Sequence, residues 1–138
     1  MDLDGNDFYF VKEILQSGVR PIIFICEYNG FVPPDVEWKQ SYNSKHVWDG
    51  STYYGAALIS YTKLFQEHDY SLVCCNLSGA NAFFIKNDHI DKFKDIYDAT
   101  DEFFVYPLAS ISTNQSLNYK KMIQSIIDGD LSNENLKD

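Results

Sequence analysis

Apolar positions along the first ninety or so residues switch between two periods. Between Asn6 and Ser17, Phe8, Val11, Ile14 and Leu15 recur at helical spacing and Gly18 supplies a stop. The pattern predicts a helix there, capped by Asp4 or Asn6. "RPIIFICEYN" breaks that period: behind Pro21, Ile22 to Cys26 form an unbroken β-rich run. A run without alternation suits a strand covered on both faces, as in a parallel sheet. It ends in Glu27, Tyr28 and Asn29, a polar switch at the strand's carboxyl end.

Residues 30–50 hold two prolines and two tryptophans without any period, which predicts a long ordered loop of the kind that carries function. A stripe of Tyr54, Ala57, Leu58, Tyr61, Leu64 and Phe65 then predicts a second helix, capped by Ser51 or Thr52. "YSLVCCN" and "ANAFFIK", separated by "LSG", predict an antiparallel hairpin. Past Asp88 the pattern weakens. "HIDKFKDIYD" reads as a short helix, "EFFVYP" as a short strand and "NYKKMIQSIIDG" as a helix stopped by Gly129. The expected organisation is a unit over 1–95, a strand and helix extension over 96–129 packed on it, and a flexible tail over 130–138.

The order helix, buried strand, long loop, helix, hairpin predicts an α/β fold. It is that of an incomplete, Rossmann-like half-sheet of three to four strands: one parallel-type strand plus an antiparallel hairpin, with flanking helices. Ligands of such sheets bind outside the carboxyl ends of the strands. That rule puts the Asp2–Asp7 corner, the Glu27–Asn29 strand end and part of the long loop on one rim.

Composition narrows the partners. A chain of 138 residues with 45% hydrophobic and 16% aromatic residues is expected to form one globular domain. Its net charge of −9 argues against nucleic acid or an anionic membrane surface as the main partner. No apolar stretch reaches the ~18 residues needed to span a bilayer, and the acidic start is unlike a signal peptide, so a cytoplasmic location is expected. Cys26, Cys74 and Cys75 lie in apolar runs and read as reduced core thiols. The histidines and cysteines lack metal-ligand spacing, so no metal centre is predicted.

The chemistry concentrates at the acidic start, "MDLDGND". Asp2, Asp4 and Asp7 can orient a substrate hydroxyl, accept its proton or hold a divalent cation. They can equally serve as helix-capping acids favoured by the N-terminal dipole. Glu27 closes an apolar strand and needs a polar partner there. His46, in the long loop, is a candidate general base. Trp38, Trp48, Tyr53 and Tyr54 either stack on a flat substrate or anchor the loop.

Taken in order, "DLDGND", "EYN", "YYGAALISYTKLFQEHDYSLVCCN" and "GANAFFIKND" resemble the C-terminal half of FkbM-like, S-adenosylmethionine-dependent methyltransferases of the Rossmann-like class, over residues 2–88. The resemblance implies that Asp2, Asp4, Gly5, Asn6 and Asp7 face the place where methyl donor and acceptor meet. It puts Glu27 and Asn29 on the substrate rim, and Asn76, Gly79 and Asn81 on the hairpin closing the substrate side. The family holds S-adenosylmethionine with a Gly-rich turn after its first strand and an acidic residue after its second. Neither motif occurs in these 138 residues. The expectation is therefore a substrate-side half for a hydroxyl or amine acceptor that binds no cofactor by itself. The alternative is a non-catalytic module that dimerises, or pairs with a complementing chain, through an exposed sheet edge.

Overall fold

The first helix, α1 (Asp7–Gln16), buries Phe8, Val11 and Leu15 along one stripe, as its spacing predicts. Asn6 occupies the N-cap without a side-chain capping bond. Its carbonyl instead accepts from the amides of Tyr9 and Phe10. At the other end Gly18 takes a left-handed φ of 87°, and the Arg20 guanidinium donates to the Leu15 carbonyl, which satisfies the open end of the helix. The computed structural model describes residues 1–93 apart from Pro34 and Leu77. The expected 96–129 extension, with its "EFFVYP" strand and "NYKKMIQSIIDG" helix, and the 130–138 tail lie outside the described residues.

After α1 come β1 (Ile23–Glu27), α2 (Leu58–Gln66), β2 (Tyr70–Cys75), β3 (Asn81–Lys86) and a 3₁₀ turn over Asn87–Phe93. The strands form one open sheet in the order β1-β3-β2. Both pairings are antiparallel, with a register irregularity between Leu72 and Cys74. The described residues thus form a small α/β fold with a three-stranded antiparallel sheet and flanking helices. The predicted hairpin is β2–β3, and β1 lies against β3.

On its other side β1 meets the start of the chain. The Met1 ammonium donates to the Ile25 carbonyl at 2.6 Å, and the Glu27 amide donates to the Met1 carbonyl at 2.9 Å. One residue bonding to positions on either side of Cys26 is the pattern of a parallel ladder.

Burial of β1 departs from the sequence expectation. Phe24 and Cys26 are 8% and 0% exposed, whereas Ile23 and Ile25 are 44% and 45% exposed. The strand is covered on one face. The reason lies in the core: Phe8, Val11 and Leu15 of α1 join Tyr61, Leu64 and Phe65 of α2 in one cluster with Phe24, Cys26 and Phe84. Both helices therefore pack on the same side of the sheet, where the Phe65 and Phe84 rings stack at 4.0 Å.

The second helix begins later than its apolar stripe suggests, at Leu58 with Ala57 as N-cap. Tyr54 lies before it. Residues 51–56 are held by tertiary bonds instead. The Gln40 amide donates to the Gly55 carbonyl at 2.9 Å, and the Gly55 amide donates to Gln40 Oε1 at 3.1 Å. Gly55 adopts a φ of 62° that favours glycine. Trp38 is buried in a second cluster with Val32 and Ala57, and Tyr53 meets its ring edge-on at 5.4 Å. Trp38 and Tyr53 thus take the anchoring role.

Cys26 and Cys75 are buried and Cys74 is partly so, all as free thiols. Burial pushes Cys26 up to about 12 and Cys75 up to about 11, so both stay protonated and unreactive. Among the described residues no helix is long and apolar enough to cross a membrane.

Candidate functional site

The chain start folds into a tight corner at the carboxyl end of β1. Asp4 adopts a left-handed φ of 53°, a conformation that aspartate tolerates better than most residues. Buried beneath it, Asp7 accepts from the Leu3 amide through Oδ1 at 2.7 Å and from the Gly5 amide through Oδ2 at 2.9 Å. The α1 acid thus reaches back to organise the corner, while Asn6, one of the two expected caps, holds the N-cap position through its backbone carbonyl. Gly5 leaves room for the side chains of His46 and Gln40. A Cβ there would run into the His46 ring and come within 2.9 Å of Gln40 Nε2.

Three carboxylates meet at this corner. Oxygens of Asp2, Asp4 and Glu27 lie within 4.8 Å of one another, a spacing that could serve one small cation. The histidine and cysteine spacing behind the expectation of no metal centre carries no sign of such an all-carboxylate group. Burial, and then the charges of Asp2, Asp7 and Asp4, push Glu27 up to about 7; the Met1 ammonium opposes them. Tyr54 joins the group: burial, followed by the charges of Glu27, Asp2 and Asp4, pushes its phenol up to about 12. A carboxyl that titrates near neutrality beside a protonated phenol can take a proton from a bound hydroxyl or amine.

The long loop is clamped onto the corner. Asn6 Nδ2 donates to the Asn43 carbonyl at 2.8 Å, and the Asn43 amide donates to Asn6 Oδ1 at 3.2 Å. His46 Nε2 lies 2.9 Å from the Asp4 carbonyl. A carbonyl only accepts, so this contact puts the ring proton on Nε2 and leaves Nδ1 as the basic nitrogen. Next to it an open cleft of about 410 Å³ is lined by Gln40, Tyr42, Asn43, His46, Asp49 and Tyr53, among others.

The predicted residues fall into two groups. Asp2, Asp4 and Glu27 come together, His46 and Asn6 contact the same corner, and Asn81 stands opposite Glu27 in the β1–β3 register. The other three are engaged in holding the scaffold. Asp7 is spent on two backbone amides. Asn29, 1% exposed, donates to the carbonyls of Thr52 and Tyr54 and accepts from the Phe31 amide. Asn76 accepts from the amides of Ala80 and Asn81 and shapes the hairpin turn. The sequence reading put Tyr54 on the stripe of the second helix and gave it a stacking or loop-anchoring role, missing its place beside the acids. The one local signal was the glycine that follows it.

Glu27 makes a pH-dependent prediction. Its folded value of about 7 exceeds the ordinary 4.5, so the native state holds the proton more tightly than the unfolded chain. The resulting destabilisation is absent below about pH 4.5, grows as pH rises, and is complete above about pH 7. Glu27→Gln is expected to flatten this slope and raise stability at alkaline pH by roughly 1–2 kcal/mol, a figure discounted for the partial exposure of the group. Urea melts of both proteins at acidic and mildly alkaline pH check it, and equal differences at the two pH values would contradict it.

No family model matches the chain, and neither the curated proteins nor the solved structures compared with it provide a match.

Proposed function

We propose that residues 1–93 form the acceptor-side half of a cytoplasmic methyl-transfer enzyme of the FkbM-like kind, a Rossmann-like half-sheet completed by a donor-binding half outside these residues. The observation that carries this reading is the meeting of Asp2, Asp4, Glu27 and Tyr54 at the carboxyl end of β1, beside the cleft under His46. The parallel-type bonds of Met1 to β1 support it, because they continue the sheet in the sense that a preceding parallel strand requires.

In this reading Glu27 takes the acceptor proton, and Asp2 and Asp4 orient the acceptor hydroxyl or amine. Asn6 and Asn81 line its approach, and His46 is a second base acting through Nδ1. S-adenosylmethionine, bound by the other half, supplies an electrophilic methyl group. The contribution of this chain is alignment and proton removal.

A chimera tests it. With the donor-binding half of an FkbM-like enzyme joined ahead of Met1, the folded fusion is expected to bind S-adenosylhomocysteine and to transfer methyl groups. Glu27→Gln should lower that transfer by roughly 10²-fold or more. The unfused chain should give no saturable heat with S-adenosylhomocysteine. Micromolar binding by the unfused chain would overturn the division into halves, and a folded fusion that transfers nothing would overturn the enzymatic reading.

A second reading follows from β1 standing last in the strand order: a non-catalytic module that pairs there with another copy or a complementing chain by displacing or extending the Met1 bonds on that edge. Light scattering that finds a monomer removes the homodimer.

A further inference from the structure

Two amide side chains of the long loop line the cleft with their oxygens already occupied. Gln40 is 1% exposed, and its Oε1 accepts from the Gly55 amide at 3.1 Å. A backbone N–H only donates, so this bond fixes which end of the side-chain amide is which. Nε2 and the His46 ring both border Gly5. Among the described residues no acceptor takes a hydrogen from Nε2. Asn43 repeats the arrangement at the exposed rim. Its Oδ1 accepts from the Lys45 amide at 2.9 Å, which leaves Nδ2 as the donating end. Lys45 makes no ion pair among the described residues. All three residues line the cleft of about 410 Å³. Its wall therefore offers N–H donors whose acceptor ends are spent, together with one full positive charge. A buried N–H without an acceptor is destabilising, and a bound oxygen removes that penalty.

We propose that this cleft binds a small monocarboxylate, whose oxygens take the hydrogens of Gln40 Nε2 and Asn43 Nδ2 while the Lys45 ammonium balances its charge. An ionised carboxyl is the group that only accepts, and its bonds to such donors are charge-assisted. Asp49 restricts the rest of the ligand. It is the one acid in the lining, and its Oδ1 already accepts from the Ser51 amide at 3.0 Å. A second acid on the ligand would be repelled there, so the remainder is uncharged. Tyr42 and Tyr53 supply ring faces for it. The volume stands at the small end of the ~300–1,000 Å³ usual for ligand sites, which suits an acid built on one ring. The chain's net charge of −9 opposes anions at long range, but at ~0.15 M salt charges more than ~8 Å away are largely screened and the adjacent donors decide. The inference is independent of methyl transfer.

Nitrogen–proton correlation spectra of the full chain, titrated at ~0.15 M salt with benzoate and separately with benzamide, test it. Benzoate is expected to bind saturably and to move the side-chain NH₂ signals of Gln40 and Asn43 downfield. Benzamide keeps the shape but turns an NH₂ group toward these donors, and should bind about tenfold more weakly. Asn43→Asp keeps an acceptor for the Lys45 amide and replaces the NH₂ by an oxygen, so it should weaken benzoate binding about tenfold or more. Ser44→Asp adds the same charge on the next residue without removing a donor, and should weaken it less than about threefold. Both positions are exposed, so both variants are expected to fold. The absence of saturable benzoate binding, equal binding of benzamide, or a saturated complex in which the Gln40 signal stays in place would each overturn the proposal. Equal losses in the two variants would do the same.

Discussion

Asn29→Asp is expected to cost about 3–5 kcal/mol, enough to unfold a domain of ordinary stability. The substitution changes the side chain by one atom and almost no volume, so packing is left intact. What changes is hydrogen-bond sense. Asn29 Nδ2 donates to the Thr52 and Tyr54 carbonyls at 2.8 and 2.9 Å, and a carboxylate would turn an acceptor oxygen toward two acceptors in a site 1% exposed. Both carbonyls lose their donor, and a charge is buried against them. The loop from Trp38 to Ala57 depends on that anchor, so the cleft should be lost with it. Thermal melts monitored by tryptophan fluorescence check the effect, since Trp38 is buried in the loop's own cluster. Acidification should recover part of the loss, because a protonated carboxyl regains one donor. A melting point within a degree or two of the parent would show that this anchor is not what holds the loop.

Asp7→Ala is the second large effect, at about 2–4 kcal/mol. The Leu3 and Gly5 amides would both lose a charged acceptor. The corner would loosen, and Glu27 should titrate below its present value of about 7, because Asp7 is one of the charges holding it up. Asp7→Asn should fall between, as one amide oxygen can serve only part of the pair while its NH₂ group faces donors. Carbon-detected titration of the Glu27 carboxyl reads the second effect separately from stability. If Glu27 kept its value in a folded Asp7→Ala protein, the electrostatic coupling across the corner would be refuted.

How far these features could be read from sequence depends on how local their causes are. The α1 stripe, the hairpin and the polar end of β1 rest on neighbours within a few residues, and periodicity exposes them directly. Tyr54 shows the opposite case. It fits the helical stripe of Leu58 and Tyr61 by spacing, yet the Asn29 side-chain amide holds its carbonyl and Gln40 holds the Gly55 that follows it, in an irregular segment ahead of the helix. A bond across 25 residues leaves no periodic trace. Coverage of β1 misled for a related reason: an unbroken apolar run shows that both faces suit burial, without saying which segment performs it. The acidic corner was legible as a cluster but not as a division of labour. Asp7 and Asp2 look alike in the sequence, and only the fold assigns one to the backbone and the other to the open rim.

The reciprocal clasp between Asn6 and Asn43, together with the His46 contact to the Asp4 carbonyl, makes two distant stretches of chain move as one. A guest in the cleft that shifted residues 43–46 with these bonds intact would carry the Asp4 backbone along, and with it the carboxylates around Glu27. Under that coupling, proton affinity at Glu27 and occupancy of the cleft would be thermodynamically linked, each altering the other by the same factor. A guest would announce itself as a change in the pH at which the corner loses its proton.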